Sequence, residues 1–435
     1  MTAIIIICAA TITLMICGIL FFPAIKLGKL KVDSYWVVAL LGAAIALIVC
    51  KPDFAALGSA LVADTAVNPV KILVLFLSMT VLSVFLDELG FFRFLAGMAL
   101  KRAKSGQKKL FFYLYVTVSV LTVFTSNDVI VLSFTPFICY FAKHAKINPM
   151  PYLAAEFVAA NTWSLALVIG NPTNIYLASA YGLDFAQYVK ISIIPTLFAG
   201  AASLFCLYVL FRKKLSEPME CEAEVERIQD KFQLWVGIVH LGVCTLLLAV
   251  GSYIGLEMWL VSLAAVGSLF IISAVTALVR KKKPSELTGC IKRAPYQLVP
   301  FILSMFILIE IAGQKGVTEQ IGAFLGSEQQ VLVYGVSSFF AANIINNIPM
   351  SVLYSSVIAG AQGVGLPAVF ATIIGSNLGA YFTPVGALAG IMFSSILQRH
   401  GLKFGYAGFL KMGVCAAIPA LFAALGGLYV SLLFV

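Results

Sequence analysis

Apolar residues fill long stretches of this chain. Thr2–Phe22, Trp36–Cys50, Val70–Leu86, Ile191–Phe211, Trp259–Val279 and Ala407–Val435 approach or exceed the roughly 20 residues a membrane-spanning helix needs. At 435 residues the chain has room for about ten crossings. Against this background FTSNDVIVLSFTP, Phe124–Pro136, is anomalous, because Thr125, Ser126, Asn127 and Asp128 stand together with apolar chain on both sides. Lipid offers such groups no partner, and each one left unpaired costs several kcal/mol.

The pattern around this stretch predicts a re-entrant helical hairpin. Lys109 to Ala142 is 34 residues, bounded on both sides by basic loops. Two full spans need about 40 residues plus a turn. A hairpin over 109–142 with Ser126-Asn127-Asp128 at its tip fits better. Gln329 to Gln362 is again 34 residues and carries NIINNIP, which places Asn346-Asn347 at the tip of a second hairpin over 329–362. Its flanks are not basic, so it enters from the opposite side.

A segment of 32 residues follows each hairpin, Pro151–Gly182 and Leu366–Leu397, too long for a straight span and interrupted midway. Aligning Asn161 with Asn377 also aligns Gly170 with Gly386 at the same spacing of nine. FLSM at Phe76–Met79 and ILSM at Ile302–Met305 open matching helices upstream. Each half therefore reads as three spans, a hairpin, a broken span (151–182 or 366–397) and a final span. Five crossings is an odd number, so the second copy is inverted. The expected fold is an all-α polytopic membrane protein of two inverted-topology repeats, 1–211 and 234–435, joined by a cytoplasmic linker over 212–233. Paired broken segments in inverted halves point to a transporter's binding site near the membrane midplane.

Composition narrows the function classes. Hydrophobic residues make up 61% and charged residues 11%, where a soluble domain carries about 25% charged. Such a chain leaves only short loops in water, so no globular enzyme domain is expected. The first apolar run lacks a basic n-region and a cleavage site before PAIKLGKLK, and reads as a retained helix. The net charge of +10 is a topology signal and not a nucleic-acid footprint. Of 29 basic residues, 25 fall in the loops Lys26–Lys31, Arg93–Lys109, Lys143–Lys146, Arg212–Lys231, Arg280–Arg293 and Arg399–Lys411. The positive-inside rule makes these loops cytoplasmic and puts both termini outside. Nine Cys lie scattered without CxxC spacing, and His144, His240 and His400 are far apart. No metal, cofactor or nucleic-acid partner is expected.

The candidate chemistry sits at the tips and breaks. Gly170-Asn171-Pro172-Thr173-Asn174 and Thr383-Pro384-Val385-Gly386 free backbone groups from the helical ladder. Exposed carbonyls can coordinate a cation, and the positive end of a half-helix can face an anion. Plain proline kinks are the structural alternative. Ser126, Asn127, Asn346 and Asn347, with Asn161, Thr162 and Asn377 beside the breaks, offer neutral oxygens and amides that suit a desolvated ion or polar solute. Helix capping is their structural alternative. A buried carboxylate must pair, coordinate or take up a proton, so Asp128, Glu156 and Glu310 are the candidate proton sites. Asp128 is the hardest of the three to explain structurally, whereas Glu156 and Glu310 could equally be satisfied structural carboxyls.

TSNDVIVLSFTP, AANTWSLALVIGNPTN and GSNLGAYFTPVGALAG together resemble the arsenite permease and sodium/proton antiporter family. That family lies within the ion transporter superfamily, beside the citrate and dicarboxylate symporters. The resemblance spans nearly the whole chain and implies an elevator-type fold, in which hairpins and broken helices carry substrate against a scaffold. In the symporter branch a Ser-Asn-Thr triplet at each tip binds sodium. Ser126 and Asn127 match it, but Asp128 replaces Thr and the second tip reads Ile345-Asn346-Asn347. The SND form resembles the arsenite-permease branch and favours a coupling proton over sodium.

The expected function is a secondary active transporter of the cell membrane that exports arsenite or antimonite in exchange for protons. The alternatives within transport are a symporter for citrate, a dicarboxylate or an inorganic oxyanion, and a sodium/proton antiporter. No Lys or Arg falls in either tip or break, which favours a neutral solute, and arsenite near neutral pH is mostly the uncharged trihydroxide. An ion channel would also use polar re-entrant loops, but paired broken repeats favour alternating access. An embedded enzyme is the weakest alternative, because the sequence shows no Ser–His or Cys–His arrangement and no metal-ligand cluster. The expected partners are a small inorganic or organic solute, membrane lipid and, as an option, a second copy in a homodimer.

Overall fold

Local chemistry marks where the helices begin. Asn68 accepts from the Val70 and Lys71 N–H groups at 2.9 and 3.2 Å and caps the helix that starts at Pro69. A proline in that first turn forfeits no intrahelical bond. Asp184 and Gln187 form a reciprocal capping box ahead of Phe185. The structure is a computed structural model that describes residues 1–435 except 23, 28–29, 64–67, 104–105, 220–227, 252–253, 403 and 435.

The first half comprises α1 (Thr2–Phe21), α2 (Ser34–Cys50), α3 (Phe54–Val62), α4 (Pro69–Glu88) and α5 (Phe91–Ala103). The pair α6 (Gln107–Phe124) and α7 (Asn127–His144) follows, then α8 (Met150–Trp163), α9 (Pro172–Ala180) and α10 (Phe185–Phe211). The second half runs through α11 (Lys231–Gly251), α12 (Met258–Val279), α13 (Ser285–Arg293), α14 (Leu298–Gln314) and α15 (Val317–Leu325). Next come α16 (Gln330–Ile345), α17 (Asn347–Gly360), α18 (Leu366–Gly379) and α19 (Leu388–Arg399). A π-helical turn at Gly413–Ala417 then joins α20 (Tyr406–Met412) to α21 (Ile418–Leu432). The fold is mostly helical, as the pattern predicts.

One feature differs from the expectation. The PAIKLGKLK loop contains a small antiparallel ribbon, β1 (Ala24–Leu27) paired with β2 (Leu30–Asp33), with Ile25 opposite Val32. Too short for a spanning strand, it leaves the membrane part all-helical. Among the described residues, seven helical stretches are long and apolar enough to cross a membrane by length and composition, one of them joining α13 to α14 and another α20 to α21. The remainder of the apolar chain is divided into shorter pieces, such as α16 and α18, by the turns and breaks. Of the expected linker 212–233, residues 220–227 lie outside the described residues.

The deepest part of the molecule is the pair of helices before the breaks. Every residue from Pro151 to Thr162 in α8, and from Ala368 to Gly379 in α18, is buried. Both are apolar nearly all round, the pattern of a helix enclosed by protein. α6 packs on α8, and α16 packs on α18. Across the halves, α7 packs on α19 and α17 on α9. Each hairpin thus supports the other half's broken helix. A separate apolar cluster joins α1, α2 and α14 through Tyr35, Leu298, Phe301 and Met305.

Arg293 at the end of α13 fastens this short helix to α4. Its guanidinium meets Asp87 Oδ2 at 2.6 Å and Glu88 Oε1 at 2.7 Å, with the Asp87 side chain nearly buried. Arg293→Gln is expected to cost roughly 2 kcal/mol, less than a fully buried pair because Arg293 is partly exposed. Melting of the purified protein in detergent reads this. The R293M/D87L double replacement should recover part of the loss, since it leaves no unpaired charge behind at Asp87.

Candidate functional site

The two hairpin tips are built differently. In the first, α6 ends as Thr125 Oγ1 donates back to Leu121 O at 2.8 Å. Ser126 is extended and starts α7. Asn127 Nδ2 donates to Asn161 Oδ1 at 3.0 Å, tying the tip to α8. In the second tip, Asn346 alone separates α16 from α17, with φ of 73°. Its ψ of 150° takes it outside the left-handed helical region into a conformation otherwise kept for glycine, so the tip is strained. Its Oδ1 accepts from the Ile348 N–H at 3.4 Å, and its Nδ2 donates to Val385 O at 3.0 Å. The Asn347 N–H donates to Gly386 O at 3.0 Å. The second tip is therefore fastened to the second break by two bonds.

Three neutral oxygens at these tips have no hydrogen-bond partner although they are buried: Ser126 Oγ, Asn127 Oδ1 and Asn347 Oδ1. Buried side-chain oxygens are nearly always paired, and leaving one unpaired costs about 1–3 kcal/mol. Orphans at both matched tips leave acceptors that can take a hydrogen-bond donor or a cation.

The first break runs from Ser164 to Asn171, and the Asn171-Pro172-Thr173-Asn174 run closes it by starting α9. Pro172 opens that helix, and Asn171 Oδ1 accepts from the Thr173 N–H at 3.2 Å as its cap. Asn174 Nδ2 donates to Ser164 O at 2.8 Å and Leu167 O at 3.1 Å, carbonyls the break has freed. The second break runs from Ala380 to Ala387. There Asn343 Nδ2 donates to Phe339 O at 2.9 Å and Gly379 O at 3.0 Å, and Thr383 Oγ1 donates to Asn343 Oδ1 at 2.7 Å.

Asn377 joins the two breaks. Its Oδ1 accepts from Ser164 Oγ at 2.9 Å and Asn171 Nδ2 at 3.2 Å, while its Nδ2 donates to Asn174 Oδ1 at 2.7 Å and Ile373 O at 2.8 Å. Asn161, its counterpart, likewise donates from Nδ2 to the carbonyl four residues earlier, Phe157 O at 2.8 Å. Thr162 Oγ1 donates to the Tyr381 hydroxyl at 3.2 Å. Asn127, Asn161, Thr162, Asn171, Thr173, Asn174, Asn346, Asn347, Asn377 and Thr383 thus fall in one polar cluster around the breaks, with Pro384 in its backbone. Ser164, Asn343 and Tyr381 belong to it as well. Asn343 opens the NIINNIP run, and Ser164 follows Asn161-Thr162-Trp163, so their local sequence carried the signal.

The acidic candidates separate. Asp128, one residue past the orphaned Asn127, is half-buried and has no hydrogen bond or ion pair among the described residues. It lies close enough to the Tyr35 hydroxyl of α2 to act on it electrostatically. Glu156 is fully buried between α7 and α8, with Thr135 Oγ1 at 3.2 and 3.1 Å from its two oxygens. Glu310 is half-buried on α14 and makes no hydrogen bond among the described residues, outside the cluster.

Gly170 and Gly386 sit where backbone meets backbone. A Cβ on Gly170 would lie 2.3 Å from Ser164 O, and one on Gly386 would lie 2.5 Å from Gly379 O. Gly170→Ala and Gly386→Ala are expected to destabilise by about 1–3 kcal/mol and to cut transport sharply with membrane insertion intact. Gly242→Ala, whose Cβ meets nothing within 4 Å, should behave as wild type. Solute uptake per inserted protein checks this, and normal uptake by both break variants would reduce the breaks to plain kinks. Asn377→Ala strands several partners at once and should cost roughly 3 kcal/mol or more in a melting curve.

Comparison with known proteins fits this geometry. The chain is 28% identical over 378 residues to the arsenical pump membrane protein of Escherichia coli strain K12, covering 82% of this chain and 86% of that one. It is 24% identical over 369 residues to the putative arsenical pump membrane protein of Bacillus subtilis strain 168, covering 77% and 81%. Its fold resembles the crystal structure of the Alcanivorax borkumensis YdaH transporter, described as having an unusual topology. That likeness has a TM-score of 0.58 at 15% identity, covering 100% of this chain and 98% of the other. Residues 30–375 match the citrate transporter family, CitMHS. With most of its length inside that match and a buried polar cluster where two helices break, the chain is a multi-pass membrane transporter and belongs to the citrate transporter family.

Proposed function

We propose that this chain is a secondary active carrier that expels arsenite and antimonite across the cell membrane in exchange for protons. The observation that carries the proposal is the set of three orphaned neutral acceptors, Ser126 Oγ, Asn127 Oδ1 and Asn347 Oδ1. Arsenite near neutral pH is a small uncharged trihydroxide with three O–H donors, which matches neutral acceptors and needs no counter-charge. No Lys or Arg lies in the segments 124–128, 161–174, 345–347 or 377–387. Relatives named as arsenical pumps support the same solute.

The matched order of hairpin and broken helix in the two halves supports reading them as inverted repeats, with the basic loops inside and both termini outside. Asn377 ties both breaks together, so hairpins and broken helices move as one unit past the scaffold of α1, α2, α4, α11, α12 and α14. Asp128 carries the coupling proton. It is the acid nearest the orphaned acceptors in sequence and has no fixed charged partner among the described residues, so a proton can neutralise it while the unit crosses. Glu156, held by Thr135, is the other carboxyl within this unit.

One observation favours a second reading, uptake of a carboxylate. Both α7 and α17 begin at the tips, and helix N-termini favour anions. The family's description as a citrate transporter points the same way.

Everted vesicles separate these readings. Arsenite should accumulate on imposing a pH gradient, and citrate should not compete. Asn127→Ala and Asn347→Ala should each weaken arsenite binding about tenfold, the value of one hydrogen bond of about 1.4 kcal/mol. Asp128→Asn keeps the size of the side chain and removes its charge. It should retain arsenite–arsenite exchange but lose gradient-driven accumulation. Undiminished uphill transport by Asp128→Asn would assign the proton elsewhere, and citrate uptake without arsenite uptake would sink the arsenite reading.

A further inference from the structure

Away from the hairpins, a cavity of about 1150 Å³ opens where α4, α5, α11, α12 and α13 come together. Its wall is strongly basic. Lys231 begins α11, Lys282 and Lys283 follow α12, and Arg93 and Arg280 stand beside them. Two of its acids are already engaged. Asp230 Oδ2 receives Arg280 at 2.6 Å, and Glu88 receives Arg293 at 2.7 Å. Partial burial works against the charge on Asp230. Hydrogen bonds from the Gln233 N–H and Arg280 outweigh it and hold the carboxyl below the usual carboxylate range. Arg280 also lies over the Phe232 ring at 5.1 Å, so that corner is fixed. Lys231, Lys282 and Lys283 make no ion pair among the described residues, and only Glu286 in the wall remains to oppose them. The first turn of α13, from Ser285, forms part of the same wall and adds its positive end.

One helix of the wall carries an apolar face beside its lysine. Lys231, Phe232 and Trp235 lie within about 100° of one another around α11, and Phe232 and Trp235 are exposed. A free inorganic anion would use only the lysines. A molecule with an anionic head and hydrocarbon tails would use both surfaces.

We infer that this cavity is a binding site for an anionic phospholipid, with the phosphate head between Lys231, Lys282 and Lys283 and an acyl chain along Phe232 and Trp235. Basic pockets between membrane helices are suited to such heads. The site belongs to the scaffold helices and touches none of the tips or breaks. Lipid held there would brace α4, α11, α12 and α13 against one another.

The full-length protein in neutral detergent tests this by native mass spectrometry and thermal unfolding, with phosphatidylglycerol, phosphatidylcholine and inorganic phosphate as separate probes. Phosphatidylglycerol should bind and raise the unfolding temperature, while phosphatidylcholine and inorganic phosphate should not. The K231Q/K282Q/K283Q variant should bind phosphatidylglycerol on the order of 100-fold more weakly. All three lysines are exposed, and the K231R/K282R/K283R variant, which keeps the charge, should retain binding. The proposal is overturned by equal binding of phosphatidylcholine, by equal stabilisation from phosphate alone, or by glutamine variants that keep their affinity. It is also overturned if those variants shift the protein between monomer and dimer with lipid content unchanged, since the face would then seat a second copy.

Discussion

A backbone group that leaves the helical ladder inside a membrane protein must find its partner within the protein, because neither water nor lipid supplies one. That constraint organises the centre of this molecule. Two deeply buried helices stop midway, and asparagine side chains take over the bonding their backbones lose. Asn174 covers two carbonyls of the first break, Asn343 covers Gly379 O at the second, and Asn377 spans between them. Asparagine suits the task because one short, neutral side chain both donates and accepts. Lysine or glutamate would bring a charge that needs its own compensation.

Charge is accordingly pushed to the ends of the helices. Arg293 with Asp87 and Glu88, Arg280 with Asp230, and Lys71 with Glu257 join helix ends where water screens part of the cost. The centre keeps neutral amides and hydroxyls, with Asp128 and Glu156 as exceptions. The two differ in setting. Glu156 is enclosed and held by Thr135, whereas Asp128 lies half-buried beside the tip and has no such clasp. A group that must gain and lose a proton during transport needs a route to water, and Asp128 has the more open surroundings.

Much of this arrangement was legible in the sequence. The turn at Ser126 falls within the polar run that interrupts an apolar pattern, and the turn at Asn346 falls in NIINNIP. The breaks lie between Asn161 and Asn174 and between Asn377 and Ala387, inside the two segments too long for straight spans. Gly170 and Gly386 stand out by equal spacing, and their crowded backbone contacts give that spacing a steric cause. Other features were not legible. Which amide meets which carbonyl depends on packing between helices some 200 residues apart, as for Ser164 and Asn377. No periodicity encodes that meeting. The ribbon at Ala24–Asp33 was hidden because a run of lysines in a loop reads as a topology signal before it reads as a strand. Glu310 looked equivalent to Glu156 by composition, and only the structure separates them, since Thr135 holds Glu156 while Glu310 makes no hydrogen bond among the described residues.

The bond between Asn174 and Asn377 crosses 203 residues of chain, and it has a consequence for how the protein is made. At ordinary rates of synthesis the first break leaves the ribosome roughly 10–40 s before the residue that completes its hydrogen bonding. The packing of α9 on α17 and of α7 on α19 is delayed in the same way. Through that interval the newly inserted first half carries the Ser164 hydroxyl and the side-chain amides of Asn171 and Asn174 without the partner Asn377 later supplies. Such a half is a biogenesis intermediate, dependent on water or the insertion machinery for shelter. Its maturation ends only when the second half arrives to close both breaks together.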